Sequence, residues 1–280
     1  MHPILFYVKG NFYIGTYGAL VAIGILAAIF FAAWRARKQA VPEGKIFDLC
    51  FYIVLSGIIG GRVFYILANF GDFIDHPLDY IFSRTGFVFY GGVLFGLIGG
   101  TLYIRKQQLK LWPLADIIAP AIPLGHFFGR LGCFSAGCCF GKPTSGILSF
   151  LGVAFPRVVD KEGNVIGSFV YIDHVSQGLI SAASPRSLPV YPTQLFEAGA
   201  NLFILGLLLV MERRQKFSGQ LFLSYLVLYS VMRLVIEFFR GDERGSLFGI
   251  ISTSQFVAII VIIGAIIFWR HRKKMVSKES

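Results

Sequence analysis

Seven stretches of about twenty apolar residues, set apart by short polar connections, decide what this chain can become. They run over roughly 12–34, 46–69, 86–104, 111–133, 191–211, 218–239 and 250–269. A helix rising about 1.5 Å per residue crosses the ~30 Å hydrocarbon core of a bilayer in about that many residues. The chain is 55% hydrophobic and only 15% charged, with a mean hydropathy of +0.69. A soluble fold of 280 residues does not hide so much apolar surface. The sequence therefore predicts an all-α polytopic membrane protein with seven transmembrane helices, forming a single integral membrane domain over residues 1–280. A net charge of +11 in such a chain is a statement about topology, and no nucleic-acid partner is expected.

The basic residues alternate between connections. Arg35, Arg37, Lys38 and Lys45 follow the first run; Arg105, Lys106 and Lys110 follow the third. Arg213, Arg214 and Lys216 follow the fifth, and Arg270, Arg272, Lys273, Lys274 and Lys278 close the chain. The other connections carry Lys9, Arg84, Lys142, Arg157, Lys161, Arg186, Arg240 and Arg244, spread over longer segments. Short loops rich in Lys and Arg stay in the cytoplasm. The expected topology puts the N-terminus outside and the C-terminus inside, in a multi-pass protein of the membrane. The first run is not expected to be a cleaved signal, because its basic cluster follows the apolar segment instead of preceding it. The longest connection, about 140–190, then lies outside as a small extracytoplasmic cap. Within it RVVDKEGNVIGSFVYI reads as two short β-rich runs around the turn-former KEGN.

Three arginines remain inside the apolar runs: Arg62, Arg130 and Arg233. A charge there is costly and faces protein, water or a partner. Asp48, Asp116, Glu197 and Glu237 are available for structural pairing, and snorkelling suits Arg62 and Arg130. The sharper reading is a pocket for an anion that resides in the membrane, a phospholipid phosphate, which the planar guanidinium fork grips with two parallel hydrogen bonds. In MRLVIEFFRGDERG, Arg233, Glu237 and Arg240 stand at i, i+4 and i+7. That spacing puts a carboxylate between two arginines on one helix face. Glycine clusters in FYGGVLFGLIGG and SGIIGGR point to close helix packing; Gly91 and Gly92, directly after Tyr90, would also let a headgroup approach the backbone.

Several separated motifs together resemble the prolipoprotein diacylglyceryl transferase family. GRLGCFSAGCCFGKP (129–143) is similar to the family signature, keeping its arginine and terminal glycine at Arg130 and Gly141. YPTQLFEA (191–198), MRLVIEFFRGDE (232–243), GGRVFYIL (60–67) and the Tyr17–Gly18 pair in FYIGTYGAL resemble further family segments. The resemblance implies a bacterial inner-membrane enzyme that moves a diacylglyceryl group from phosphatidylglycerol to the lipobox cysteine of a prolipoprotein signal peptide. A thioether forms and glycerol phosphate leaves. Its partners would be those two substrates and the surrounding membrane lipids, with no organic cofactor. By the same resemblance Arg130 and Arg233 bind or polarise the phosphate, Glu237 and Arg240 orient them, Tyr17 lines the lipid site, and Gly141, Gln194 and Glu197 belong to the substrate site.

The chain departs from the family pattern at three places. Tyr90 stands where the family commonly has a histidine, Cys133 where the signature has asparagine, and Cys138 where some members carry glutamate. A tyrosine with a pKa near ~10 donates a hydrogen bond more readily than it removes a proton, so Tyr90 is read as orienting the headgroup. The thiols of Cys133, Cys138 and Cys139 fit buried packing, a disulfide from Cys133 to one of the other two, or a covalent intermediate. A metal is not expected: C-x4-C-C lacks a paired ligand set, and His126 lies seven residues before Cys133 without a second cluster. Two other functions stay open at this stage, a lipid or anion transporter and a relative acting on a different acceptor. The absence of repeated halves counts against the first.

Overall fold

A computed structural model describes residues 3–9, 12–82, 86–159, 163, 165–241, 246–247 and 251–279. Arg84, Lys161 and Arg244 lie outside the described residues, as do Glu162 and Asn164 of the KEGN turn and the side chain of Lys9. An antiparallel hairpin of β1 (Ile4–Lys9) and β2 (Phe12–Gly15) leads into α1 (Thr16–Lys38). Then come α2 (Glu43–Ala68), the short α3 (Phe70–Asp75) and α4 (Pro77–Phe82), α5 (Phe89–Lys106), α6 (Leu111–Ile118) and α7 (Ala121–Ala136). After α7 follow a 3-10 turn at Gly146–Leu151, β3 (Val158–Val159), β4 (Val165–Gly167) and α8 (Phe169–Ser176). The chain closes with α9 (Thr193–Glu212), α10 (Gln220–Glu237), β5 (Ser246–Leu247), β6 (Ile251–Ser252) and α11 (Thr253–Glu279).

Among the described residues six helical stretches are long and apolar enough to cross a membrane: Thr16–Lys38, Glu43–Ala68, Leu111–Ala136, Thr193–Glu212, Gln220–Glu237 and Thr253–Met275. The protein is thus a polytopic, mostly helical membrane protein. The third predicted run forms α5, a helix of 18 residues. It is less apolar than the six because it carries five glycines and ends in Arg105 and Lys106. The Leu111–Ala136 stretch is interrupted at Ala119–Pro120, where the ring of Pro120 cannot supply an amide to the ladder.

The chain divides into two compact units, residues 29–117 and residues 1–28 with 118–280. In the first, α2 and α5 pack along a glycine seam. A Cβ on Gly91 would sit 2.5 Å from Phe64 Cβ and 2.6 Å from the Gly60 carbonyl, and one on Gly60 would sit 2.5 Å from the Gly91 carbonyl. Only glycine lets the two backbones come so close. Arg35 departs from its expected place among the solvated basic residues. It is 2% exposed, and its guanidinium donates to the carbonyls of Ile117 at 3.0 Å and Asp116 at 3.2 Å. Carbonyls at a helix end have no partner within the helix, so they attract a cation that sequence position alone would send to water. Arg62 donates to the Tyr80 carbonyl at 3.1 Å and lies over the Phe87 ring.

In the second unit, α7 packs on α9, and α10 on both α9 and α11. Ala119, Ile204, Leu208, Leu221 and Tyr225 form a buried cluster among them. His126 is a packed residue, with its ring 5.2 Å from that of Tyr229 and Nδ1 3.5 Å from the Tyr225 hydroxyl. The segment after α7 has its own small core of Phe140, Phe155, Val170 and Val190. β3 and β4 pair antiparallel, Val158 opposite Gly167, as the β-rich pattern predicts. The FVYI that follows is not strand but the start of α8. Val170, Tyr171 and His174 are buried at i, i+1 and i+4, one helical face, and that face supplies the apolar cover the small core needs.

Candidate functional site

The site is built on α7, α9 and the end of α10. On α9, Thr193, Gln194, Glu197 and Asn201 are all fully buried. Gln194, Glu197 and Asn201 recur at i, i+3 and i+7, so they share one face. Polar side chains inside a membrane-spanning helix must be satisfied within the protein, and each of these finds a partner. Asn201 donates to the Glu197 carbonyl at 2.7 Å, Gln194 to the Cys138 carbonyl at 2.7 Å, and Thr193 to the Cys139 carbonyl at 2.8 Å.

Glu197 is the hub. Its Oε2 lies 2.7 Å from Arg130 Nη2, and its Oε1 lies 2.9 Å from Arg240 Nη1 and 3.6 Å from Arg233 Nη1. Arg233 also pairs with Glu237 one turn on, at 2.5 Å. Ser254, at the start of α11, binds both members of that pair, accepting from Arg233 at 3.1 Å and donating to Glu237 at 3.2 Å. Three guanidiniums therefore gather around two carboxylates among the described residues. Arg130 has a side-chain exposure of 19%, against 8% for Arg233 and 3% for Arg240. It is the most exposed of the three.

The expectation that Arg233, Glu237 and Arg240 share one helical face holds only for the first two. The helix ends at Glu237, and Arg240 sits beyond it in a bridge with Gly141. The carboxylate of Arg240 is consequently Glu197, not Glu237. Gly141 has a backbone role. Its amide donates to the Tyr191 carbonyl at 3.0 Å, and the next amide, of Lys142, donates to the Phe239 carbonyl at 2.8 Å. A Cβ at Gly141 would meet those two carbonyls at 2.6 and 2.7 Å. Glycine here lets three chain segments cross, and the crossing aims Arg240 at Glu197. Tyr17, on the first turn of α1, packs against α7, its ring carbon Cδ2 3.1 Å from where a Cβ on Gly132 would stand. Tyr90 is half-exposed on the first turn of α5, while Gly91 and Gly92 are taken up by the seam with α2.

The signature's thiols converge beside this cluster. α7 closes at Gly137 in the left-handed region (φ 68°), and the Cys138 amide donates back to the Cys133 carbonyl at 3.1 Å. Cys139 is itself left-handed (φ 59°). The result is that the Sγ atoms of Cys133, Cys138 and Cys139 all lie within 4.8 Å of one another. No disulfide joins any two of them. The C-x4-C-C spacing gives no hint of this convergence, because two left-handed residues fold the chain back on itself. The sulfurs of Cys133 and Cys138, then the charges of Arg240 and Arg130, hold the Cys139 thiol below the ordinary range against the effect of burial. The sulfurs of Cys133 and Cys139, then burial, push Cys138 up.

Sequence reasoning gives Glu197 a minor place and omits Thr193, Asn201 and Ser254. The overlooked signal is the polar stripe at 194, 197 and 201 in an otherwise apolar helix.

Fold and site together define a polytopic membrane protein with guanidiniums gathered around a buried carboxylate on its apolar helices. The chain belongs to the prolipoprotein diacylglyceryl transferase family, whose model matches residues 3–271. A phosphatidylglycerol–prolipoprotein diacylglyceryl transferase of Clostridium tetani is 34% identical over 269 residues, covering 96% of this chain and 97% of that protein. A second of that name from Clostridium perfringens is 32% identical, covering 95% and 93%. One from Lactobacillus acidophilus is 29% identical over the full length of this chain and 92% of its own.

Proposed function

We propose that this protein transfers a diacylglyceryl group from phosphatidylglycerol to the cysteine thiol of a prolipoprotein in the bacterial inner membrane. The observation that carries this reading is the cluster around Glu197. A structural salt bridge needs one arginine, whereas among the described residues three guanidiniums gather around Glu197, and Arg130 is the most exposed of them. The guanidiniums gathered there suit the phosphate of a phosphodiester that must leave with a second negative charge.

In this reading Arg130 holds the phosphate through its planar fork. Arg233 and Arg240 fix Glu197, which in turn fixes Arg130, and their field favours charge developing on the leaving oxygen. Glu237 and Ser254 hold Arg233. Tyr17, beside Arg130 on the facing turn of α1, lines the lipid's approach, and Tyr90 orients the headgroup. Gln194 secures the loop that follows Arg130. The prolipoprotein thiolate attacks the glyceryl carbon, the carbon–oxygen bond to phosphate breaks, and glycerol phosphate departs as the thioether forms.

The topology consistent with this chemistry counts α5 as a short seventh span, ended by Arg105 and Lys106. It places the N-terminus and the small-core segment of residues 137–192 outside, where prolipoproteins emerge, and the C-terminal Lys/Arg cluster in the cytoplasm.

Mass spectrometry of a lipobox peptide incubated with purified protein and phosphatidylglycerol tests the proposal. The expected result is a diacylglyceryl mass on the cysteine that is absent with Arg130→Ala. No adduct from folded protein that still binds the lipid would overturn it in favour of lipid handling without transfer.

A further inference from the structure

We propose that Cys133, Cys138 and Cys139 form a binding site for a thiophilic divalent cation of the zinc class, with its fourth coordination position open to the thiol of the incoming prolipoprotein. The inference rests on the transferase reading for the cation's role, and on geometry alone for the site.

The three Sγ atoms lie within 4.8 Å of one another. A tetrahedral zinc with Zn–S bonds of about 2.3 Å spaces its sulfurs about 3.8 Å apart, inside the 4.8 Å limit that holds for all three sulfurs here. The arrangement is held in place. Buried Thr193 and Gln194 bind the carbonyls of Cys139 and Cys138, at 2.8 and 2.7 Å, and the Cys138 amide is tied to the Cys133 carbonyl. Cys139 keeps a left-handed backbone (φ 59°) that side chains seldom adopt without a reason. Soft thiolates select zinc-like and cuprous ions over harder cations. Three thiolates around a divalent ion carry one net negative charge, and Arg130 and Arg240 lie near enough to act on Cys139 electrostatically.

Among the described residues the group stops at three ligands. Three protein ligands with an open position is the pattern of catalytic zinc, whereas structural zinc has four. The substrate supplies a fourth ligand of matching softness. A thiol that binds zinc gives up its proton, and the thiolate is the nucleophile. Among the described residues the two carboxylates of the cluster, Glu197 and Glu237, are both engaged by arginine. The step balances: the lipobox thiol loses its proton to water as its sulfur takes the fourth position. Its electron pair then forms the carbon–sulfur bond, and the electrons of the broken carbon–oxygen bond leave with glycerol phosphate beside Arg130.

The test uses the full chain, purified in detergent with reductant, stripped with chelator and reloaded with zinc or cobalt(II). Elemental analysis should find about one zinc per chain. Cobalt-loaded protein should show a thiolate-to-metal charge-transfer band that is lost in Cys133→Ser, Cys138→Ser and Cys139→Ser and kept in Cys50→Ser. A lipobox peptide should change the cobalt ligand-field spectrum, and its serine analogue should not. Stripped protein should transfer at least about tenfold more slowly, with zinc restoring the rate. Failure of the reduced protein to take up either ion overturns the site, as does loss of two thiols to a disulfide in its place. Full-rate transfer by protein shown to be metal-free overturns the role and leaves the transferase reading intact. If zinc-loaded protein transfers nothing, the transferase reading and the cation's role both fall, while the cobalt band still decides the site. Should the serine variants lose thermal stability, Cys138→Ala matched to the wild-type melting temperature provides the comparison.

Discussion

Two regions of this molecule bring membrane helices together by opposite means. Along α2 and α5, side chains are removed: Gly60 and Gly91 let each backbone reach the other's carbonyl, and contact is made by dispersion. Among α7, α9 and α10, polar side chains are added: Glu197, fully buried, collects Arg130, Arg233 and Arg240. Lipid offers no hydrophobic gain for helix association, so either close packing or polar bonding has to supply it. The difference lies in what is left over. A glycine seam leaves only apolar contact, whereas among the described residues the second region gathers three guanidiniums around one buried carboxylate. In the function proposed above, the second region is the place of chemistry and the first is framework.

The sharpest way to break this contrast is to remove charge. Arg130→Ala should lower transfer by about 10²–10³-fold, the usual loss when one donor to a developing anion goes. The variant should also lose some stability, because buried Glu197 Oε2 loses the guanidinium 2.7 Å away, so transfer is compared per folded molecule. Glu197→Ala should cost both activity and about 3–5 kcal/mol of stability, since it strands guanidiniums away from water; melting in detergent beside the transfer assay reads both. If Glu197→Ala were as stable as wild type, the cluster would not be the hub described here.

In the glycine seam the order of effects should reverse. Gly91→Ala places a methyl group 2.5 Å from Phe64 Cβ and should destabilise by about 1–3 kcal/mol. Transfer per folded molecule should stay near wild type. Gly44→Ala meets nothing within 4 Å and should leave the melting temperature unchanged or slightly raised. A large activity loss in well-folded Gly91→Ala would move this glycine from framework to substrate site. Tyr90→Phe comes next in size: a several-fold drop in turnover is expected for loss of one hydrogen bond to the headgroup. Unchanged turnover at equal protein level would remove Tyr90 from the reaction.

The smallest effect concerns the segment between α7 and α9. His174 is buried and its Nδ1 accepts from the Leu188 amide at 3.2 Å. Burial holds its pKa below the ordinary value, against the pull of Asp173. The unfolded state therefore takes up this proton first, and the segment should lose stability as pH falls below about 6.5. Melting curves at about pH 7.5 and 5.5 for wild type and His174→Asn check the sign: the variant should show the shallower dependence. Equal slopes would assign the pH response elsewhere.

Sequence by itself determined the membrane class, the positions of the long helices and the presence of arginine where lipid would forbid it. These are local properties: twenty apolar residues are a helix in a bilayer wherever they stand, and a charge among them demands an explanation. It also brought Arg130, Arg233, Arg240 and Glu237 forward as a set. Which carboxylate serves which arginine was decided only in three dimensions. Glu197 and Arg240 are 43 residues apart, and their meeting depends on α10 stopping at Glu237 and on Gly141 letting three segments cross. The thiols follow the same rule. C-x4-C-C looks unsuited to a metal while the chain is imagined as regular, yet a left-handed turn at Gly137 and another at Cys139 bring all three sulfurs together. Hydropathy and spacing report on neighbours along the chain; partner choice is settled by where helices end and where backbones can touch, and those depend on the packing of the whole unit.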